Sequence, residues 1–155
     1  MSELIIGHIV RAIEQLIKNR AGALIVLPAD QPIDRFTEGG VILNGRLPTP
    51  LLLSIFDPSS PGHDGAIVVE GDRVKKFGVH LPLAEKYQMY GNIGTRHRAG
   101  LGISEVSDAF TIIVSEERGT ITIAHMGELK TLKNIKDLRA MLAEFVREKF
   151  SHRCL

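Results

Sequence analysis

Three short clusters carry side chains able to handle a phosphorylated substrate: His63-Asp64-Gly65-Ala66, Thr95-Arg96-His97-Arg98 and Ser115-Glu116-Glu117. The second lies in residues 94–105 and says the most. Thr95 is a natural helix N-cap, since its hydroxyl can accept from free backbone N–H groups one turn on. Arg96, His97 and Arg98 follow just inside that cap. Two fixed positive charges at the positive end of a helix destabilise it in isolation. An anion reverses the sign, because open N–H groups, Arg forks and dipole then point at one negative charge. A solvated basic turn is the alternative for a lone R-x-R, and cap placement together with this local conflict favours a phosphate site.

His63 and Asp64 set an imidazole beside a carboxylate at the mouth of a predicted buried strand, a pair suited to a divalent metal. Gly65 and Ala66 leave room for a bulky group to approach the backbone. Taken alone, the same residues read as an Asx-turn aspartate and a surface histidine. Ser115 and Glu117 fall at the C-terminal end of a predicted strand, where α/β sheets commonly place ligands. Glu116 reads as a solvated turn residue. A metal carboxylate, cations for phosphates and a Ser–Glu strand end together suit nucleoside triphosphate chemistry. No glycine-rich Walker sequence and no G-x-G-x-x-G occurs, which excludes a P-loop or familiar kinase site.

Around these clusters, periodicity predicts alternating helices and strands. Residues 2–19 carry Ile5, Ile6, Ile9, Ile13, Leu16 and Ile17 on one helical face, with Ser2 as cap and Ala21-Gly22 as stop. Residues 23–27 form a short apolar strand, and 28–40 a polar, turn-rich connection leading to a strand at 41–43. A short helix is expected over 50–56. A loop over 57–62 then delivers the His63-Asp64 pair to a strand at 67–70, joined through Gly71-Asp72 to another at 73–80. Leu81-Pro82-Leu83 leads into a polar connection over 84–92.

From Thr95 the spacing predicts a helix to about residue 108, with Ala99, Leu101, Ile103 and Val106 partly buried. Gly100 and Gly102 weaken it by ~1 kcal/mol each relative to Ala, and mark close approach by another backbone or by ligand. Strands at 110–115 and 120–125 follow, and Met126-Gly127-Glu128 closes that hairpin region. Residues 134–149 read as a second amphipathic helix, with Ile135, Leu138, Leu142, Phe145 and Val146 on its apolar face and Asn134 as cap. Residues 151–155 read as a frayed end.

A chain of 155 residues suits one domain, and one of that size buries about 70% of its unfolded surface. With 44% hydrophobic and 24% charged residues the composition is that of an ordinary globular protein. A net charge of +1 supplies no global field for nucleic acid or membrane, so any anion site must be local. Cys154 is the only cysteine, so one chain can build neither a disulfide nor a thiolate zinc site, which suits a cytoplasmic setting. No apolar run approaches the ~18–20 residues a spanning helix needs, and Glu3, His8, Arg11 and Glu14 break any signal-peptide pattern. Neither repeats nor a linker interrupt the chain.

The paired signatures Asp64-Gly65-Ala66 and Arg96-His97-Arg98 resemble those of the diadenylate cyclase domain family, which joins two ATP molecules into cyclic di-AMP. The surroundings are similar too: Gly22-Ala23-Leu24-Ile25, Leu81-Pro82-Leu83, Ile103-Ser104-Glu105 and Ser115-Glu116-Glu117. The resemblance spans about residues 22–129 of a single domain covering 1–155. It sits nearest the catalytic core of the membrane-tethered branch, without that branch's transmembrane helices or another branch's DNA-reading domain. The chain is therefore expected to be a small soluble cyclase or a catalytic piece of something larger.

The resemblance implies an α/β fold with a mixed central sheet flanked by helices, and amphipathic helices at both ends. It implies one ATP per protomer and a face-to-face homodimer in which each 3′-hydroxyl attacks the opposite α-phosphate. By the same analogy Asp64 holds Mg²⁺ or Mn²⁺, with His63 as a further metal contact. Thr95, Arg96 and Arg98 hold phosphates, and His97 shapes that pocket. Ser115 and Glu117 meet the triphosphate or its metal, Leu81 reads adenine through its backbone, and Gly65 and Ala66 lie along the nucleotide. A regulatory protein partner is compatible with this scheme. Gly100, His80 and Arg118 depart from the residues usual in the family, which are alanine, an aromatic tyrosine and threonine. A non-catalytic module binding ATP or cyclic di-AMP, and a scaffold using its terminal helices, are the competing expectations.

Overall fold

Strands β1 (Ala23–Leu27) and β5 (Phe110–Val114) are buried at every position, so neither shows the alternation of a one-faced sheet. Both lie in the middle of a seven-stranded sheet whose two faces are covered, and continuous apolar runs are what such strands require. The computed structural model describes residues 3–47, 49–60, 62–85 and 93–153. In chain order its other strands are β2 (Val41–Arg46), β3 (Ala66–Glu70), β4 (Arg73–Val79), β6 (Ile121–His125) and β7 (Glu128–Leu132). Their spatial order is β2-β4-β3-β1-β5-β6-β7. Only β1 and β3 run parallel, with Ile25 opposite Ile67; every other pair is antiparallel. The mixed sheet flanked by helices expected from the resemblance is what forms.

On one face lie α1 (Glu3–Lys18), α2 (Thr49–Ile55) and α4 (Ile135–Arg153). The α1 stripe of Ile5, Ile6, Ile9, Ile13 and Leu16 enters this core together with Leu52, Leu138 and Leu142. On the other face lies α3 (Thr95–Val106), whose Ala99 and Ile103 join Leu24, Val26 and Ile113 in a second core. Among the described residues no helix is long and apolar enough to cross a membrane.

Several elements depart from the sequence expectation. Strand β7 was not expected, because Glu-Leu-Lys-Thr-Leu has no apolar run. A two-residue turn with Met126 and Gly127 at positive φ (52° and 78°) returns it onto β6, and pairing rather than burial defines it. Edge strand β2 runs on to Arg46, with a register shift between Ile42 and Gly45 and Asn44 at φ 51°. β4 stops at Val79, and His80 makes an isolated bridge to Glu38. Residues 34–36 add a turn of 3-10 helix inside the connection.

Helix α3 ends at Val106, which is exposed rather than partly buried. Helix α4 continues through Arg153 where a frayed end was expected, and its start is capped as expected, with the Asp137 amide donating to Asn134 Oδ1 at 3.0 Å. The Ser2 cap, Cys154, and residues 86–92 of the polar connection lie outside the described residues.

Candidate active site

Because β5 runs antiparallel to β1, and β1 parallel to β3, one end of the sheet gathers Ser115, Gly22 and the residues before Ala66. Ser115 follows the C-terminal end of β5, as expected. The His63-Asp64 pair instead enters at the N-terminal end of its strand, so the site is not built from C-terminal strand ends alone. Helix α3 starts at this same end, and its Arg96 joins the clusters.

The loop bringing Asp64 is shaped by its own hydrogen bonds. Asp57 Oδ1 accepts from the Ser59 hydroxyl at 2.6 Å and the Ser59 amide at 2.9 Å, and these bonds lower the Asp57 pKa below its ordinary 3.8. The Ser60 carbonyl accepts from the His63 amide and from its Nδ1, at 3.3 and 2.8 Å. Two glycines let this loop lie on β4. A Cβ on Gly62 would meet the Phe77 ring at 2.8 Å, and one on Gly65 would meet the Gly78 backbone at 2.6 Å. The space that Gly65 frees is therefore filled by β4 on that side rather than left for a ligand. Ala66 is fully buried in pairing with Val79.

Thr95 is not the helix cap. Gly94 takes that position in an extended conformation, its carbonyl accepting from the Arg98 amide at 3.0 Å, and no side chain caps the end. With Gly94 extended, Thr95 is already the first helical residue, and its side chain is exposed. The first turn is thus left to an outside acceptor, which keeps the anion argument intact.

Arg96 ties the three clusters together. Its Nη2 lies 4.0 Å from Asp64 Oδ1 and donates to the His63 carbonyl at 3.5 Å, while Nη1 lies 3.6 Å from Glu116 Oε1. The side chain is only 18% exposed, and its buried Nε has no hydrogen-bond partner. A buried guanidinium donor without an acceptor is costly, and a phosphate oxygen would satisfy it. Gly22 makes the placement possible, since a Cβ there would sit 2.5 Å from Nη1. His97 is half-buried, and burial, then Arg118 and Arg96, lower its pKa below 6.5, favouring the neutral imidazole.

Arg98 is half-buried one turn into α3, and its carbonyl accepts from the Ala84 amide at 3.0 Å. That bond docks residues 81–84, with buried Leu81, on the helix. Gly102 faces the Pro82 carbonyl so closely that no Cβ fits, so the expected close approach is by backbone. At Gly100 the neighbour is a side chain, Ile113, 2.5 Å from where a Cβ would stand. On β5 the Ser115 hydroxyl accepts from the Arg118 amide at 3.3 Å, and Glu117 is exposed beyond it.

The structure thus brings Asp64, His63, Arg96 and Glu116 into direct contact. Thr95, His97 and Arg98 lie beside Arg96 in the first turn of α3, Ser115 and Glu117 lie on either side of Glu116 after β5, and Leu81 is on the flank of α3. Sequence reasoning left Glu116 as a solvated turn residue, read Gly22 as a helix stop within a family-like block rather than as space for Arg96, and gave no role to Arg20. Nothing in their local pattern signals a contact that only the strand register creates.

The His63-Asp64 pair fits a divalent cation by its donor chemistry. With Nδ1–H donating to the Ser60 carbonyl, Nε2 faces Asp64 Oδ1 at 3.0 Å, where either a proton on Nε2 or a bound cation joins imidazole to carboxylate. Asp64 is 79% exposed, and among the described residues no group of three acidic, His or Cys side chains could enclose a metal. An ion here would take its remaining ligands from phosphates and water, the usual pattern for Mg²⁺.

Fold and site define an α/β protein with a cluster of charged side chains, centred on Arg96, at one end of its mixed sheet. Residues 10–129 match the DAC family, the DisA bacterial checkpoint controller nucleotide-binding domain, and the chain belongs to that family. It is similar to a diadenylate cyclase of Listeria monocytogenes (strain 10403S), 42% identical over 126 residues, covering 79% of this chain and 46% of the relative. It is likewise similar to the cyclic di-AMP synthase CdaA of Bacillus subtilis (strain 168), 41% identical over 141 residues, covering 90% and 52%. Among solved structures, a double-cysteine mutant of DacA from Staphylococcus aureus superposes with a TM-score of 0.87 at 37% identity, covering 92% of this chain and 95% of that one. The chain spans about half the length of the first two relatives.

Proposed function

We propose that this chain is a diadenylate cyclase, condensing two ATP molecules into cyclic di-AMP with release of two pyrophosphates. The observation that carries the proposal is the position of Arg96, held between Asp64 and Glu116 with a buried, unpartnered Nε, in a chain of this family.

Transfer of this kind needs in-line positioning and charge neutralisation more than covalent chemistry by the protein. Arg96 and Arg98, with the uncapped first turn of α3 at Thr95, hold the triphosphate, and Ser115 and Glu117 border its far end. Leu81 presents backbone to adenine, while Gly65 and Ala66, buried against β4, carry the loop that delivers Asp64 and do not themselves meet the nucleotide. His97, kept neutral, fills the pocket without competing for phosphate. When bound, Mg²⁺ or Mn²⁺ held by Asp64 and His63 would neutralise phosphate charge and acidify the attacking hydroxyl.

In each half-reaction a 3′-oxygen forms a bond to the opposite α-phosphorus, the bond to the bridging oxygen breaks, and pyrophosphate leaves with that electron pair. The hydroxyl proton departs toward Asp64 and solvent. Since each protomer holds one ATP, ring closure requires two protomers face to face. A cytoplasmic setting and a regulatory partner protein are compatible with the scheme.

The test is incubation with ATP and Mn²⁺ or Mg²⁺, following cyclic di-AMP and pyrophosphate. The wild-type chain should form both, and Asp64→Asn should lower the rate by about 10²–10³ or more, the typical worth of one preorganised electrostatic contact. Saturable ATP binding with no pyrophosphate under any metal would instead identify a binding module.

A further inference from the structure

Helix α1 ends in a backbone conformation that its sequence does not favour. The Ala21 amide bonds back to the Leu16 carbonyl at 2.9 Å and the Arg20 amide to Ile17 at 3.1 Å, which turns the chain sharply. This reversal puts Arg20 at φ 55°, a position where glycine is the common residue and a long side chain is strained. The arginine makes a contact that glycine could not. Its Nη1 donates to the Glu117 carbonyl at 3.3 Å, 97 residues on.

The acceptor lies in the turn after β5. That turn is closed by the Gly119 amide on the Ser115 carbonyl at 2.9 Å and the Ser115 amide on the Thr120 carbonyl at 3.0 Å. Gly119, itself at φ 64°, faces Ile17 and the Arg20 guanidinium. The same turn carries Glu116, whose carboxylate meets Arg96. Two residues past Arg20, Gly22 gives Arg96 its space. The end of α1 therefore touches the triphosphate wall from two sides.

We infer that Arg20 is a positioning residue, pinning the Ser115–Gly119 turn so that Glu116 and Arg96 keep the geometry in which the pocket receives a nucleoside triphosphate. Arg20 touches no substrate and acts through the turn. The inference rests on the proposed use of this pocket, but the pin itself can be tested without turnover.

Arg20→Gly separates positioning from folding, because glycine adopts φ 55° without strain while the side-chain bond is lost. In the nucleotide-free protein, Tm should stay equal or rise, and the Arg118 and Gly119 amides should exchange with solvent about threefold to tenfold faster, the worth of one hydrogen bond. With ATP and metal, KM should rise by a similar factor, about threefold to tenfold, with a smaller change in kcat. Arg20→Lys, which retains a donor, should recover part of the KM change. Unchanged exchange overturns the pin, and unchanged KM in an active enzyme overturns its role in the pocket. A fall in activity that tracks a fall in Tm reduces Arg20 to a structural residue. If wild-type protein makes no product, the cyclase proposal fails, while exchange and the affinity for ATP in the two proteins still decide the inference.

Discussion

Arg96 owes its position to an absence, the missing Cβ of Gly22. In Gly22→Ala the new methyl would stand 2.5–2.6 Å from the Arg96 guanidinium, the mobile end of a long side chain. The guanidinium should move and the fold survive. Tm is expected to shift by no more than ~2 °C, within the usual range of changes that leave the core intact. ATP affinity should fall by about tenfold or more, as expected when a charge-assisted contact is misaligned. Thermal melts and ATP titrations on the same samples separate the two effects. His97 offers a second test, through pH. Burial first, then Arg118 and Arg96, hold its pKa below 6.5, so the unfolded chain takes up a proton that the folded chain resists. The stability gained by keeping this ring neutral is complete above pH 6.5 and is lost as pH falls through the folded value. His97→Gln should flatten that acid limb, seen as a smaller drop in Tm between neutral and mildly acidic buffer than in the wild type.

Among the elements, α3 has a sequence that argues against its own stability and a structure that explains why. Both glycines were legible as marks of close approach, but what approaches was not. Gly102 admits the Pro82 carbonyl, and Gly100 admits the end of Ile113. An alanine at position 100 would therefore meet the Ile113 side chain on β5 and push it aside. Gly100→Ala gains ~1 kcal/mol of helix propensity, and forcing Ile113 aside should cost about 1–3 kcal/mol. Ile113→Val, which removes a buried methyl, should alone cost about 0.5–1.5 kcal/mol. Combined, the two should be more stable than the sum of their separate effects, because valine lacks the Cδ1 that makes the closer of the two Ile113 contacts. Denaturant titrations of the four proteins give this coupling directly, and strict additivity would mean the two positions do not meet. Strand β7 and the true cap Gly94 were hidden for a different reason. One is created by pairing with β6 and the other by backbone direction, and apolar periodicity reports neither.

At the scale of the whole molecule, periodicity marked the builders of the larger core, α1 and α4 by their apolar stripes and β1 and β5 by their largely apolar runs. The covering of the sheet on both faces followed only from the resemblance. The clusters of chemistry were legible singly, as residue types. Their convergence was not, since it depends on β5 running antiparallel to β1 and β1 parallel to β3. What they converge on is an exposed end of the sheet, with the Asp64 carboxylate 79% open. That openness suits a site completed by a second copy. A ring with two equivalent linkages has two-fold symmetry, which two identical protomers, each holding one ATP, reproduce. The rate per protomer should then fall on dilution into the monomeric range. Mixing gives a sharper measure. If Asp64→Asn chains exchange freely with an equal amount of wild-type chains at a concentration where all are paired, about one quarter of the dimers are wholly wild type. On the proposed mechanism ring closure needs both aspartates, so the yield of cyclic di-AMP should drop to about one quarter of that from an equal total amount of chain that is all wild type. Protomers working alone would give one half in the mixture, or a rate per protomer that does not change on dilution. Either result would remove the second copy from the mechanism.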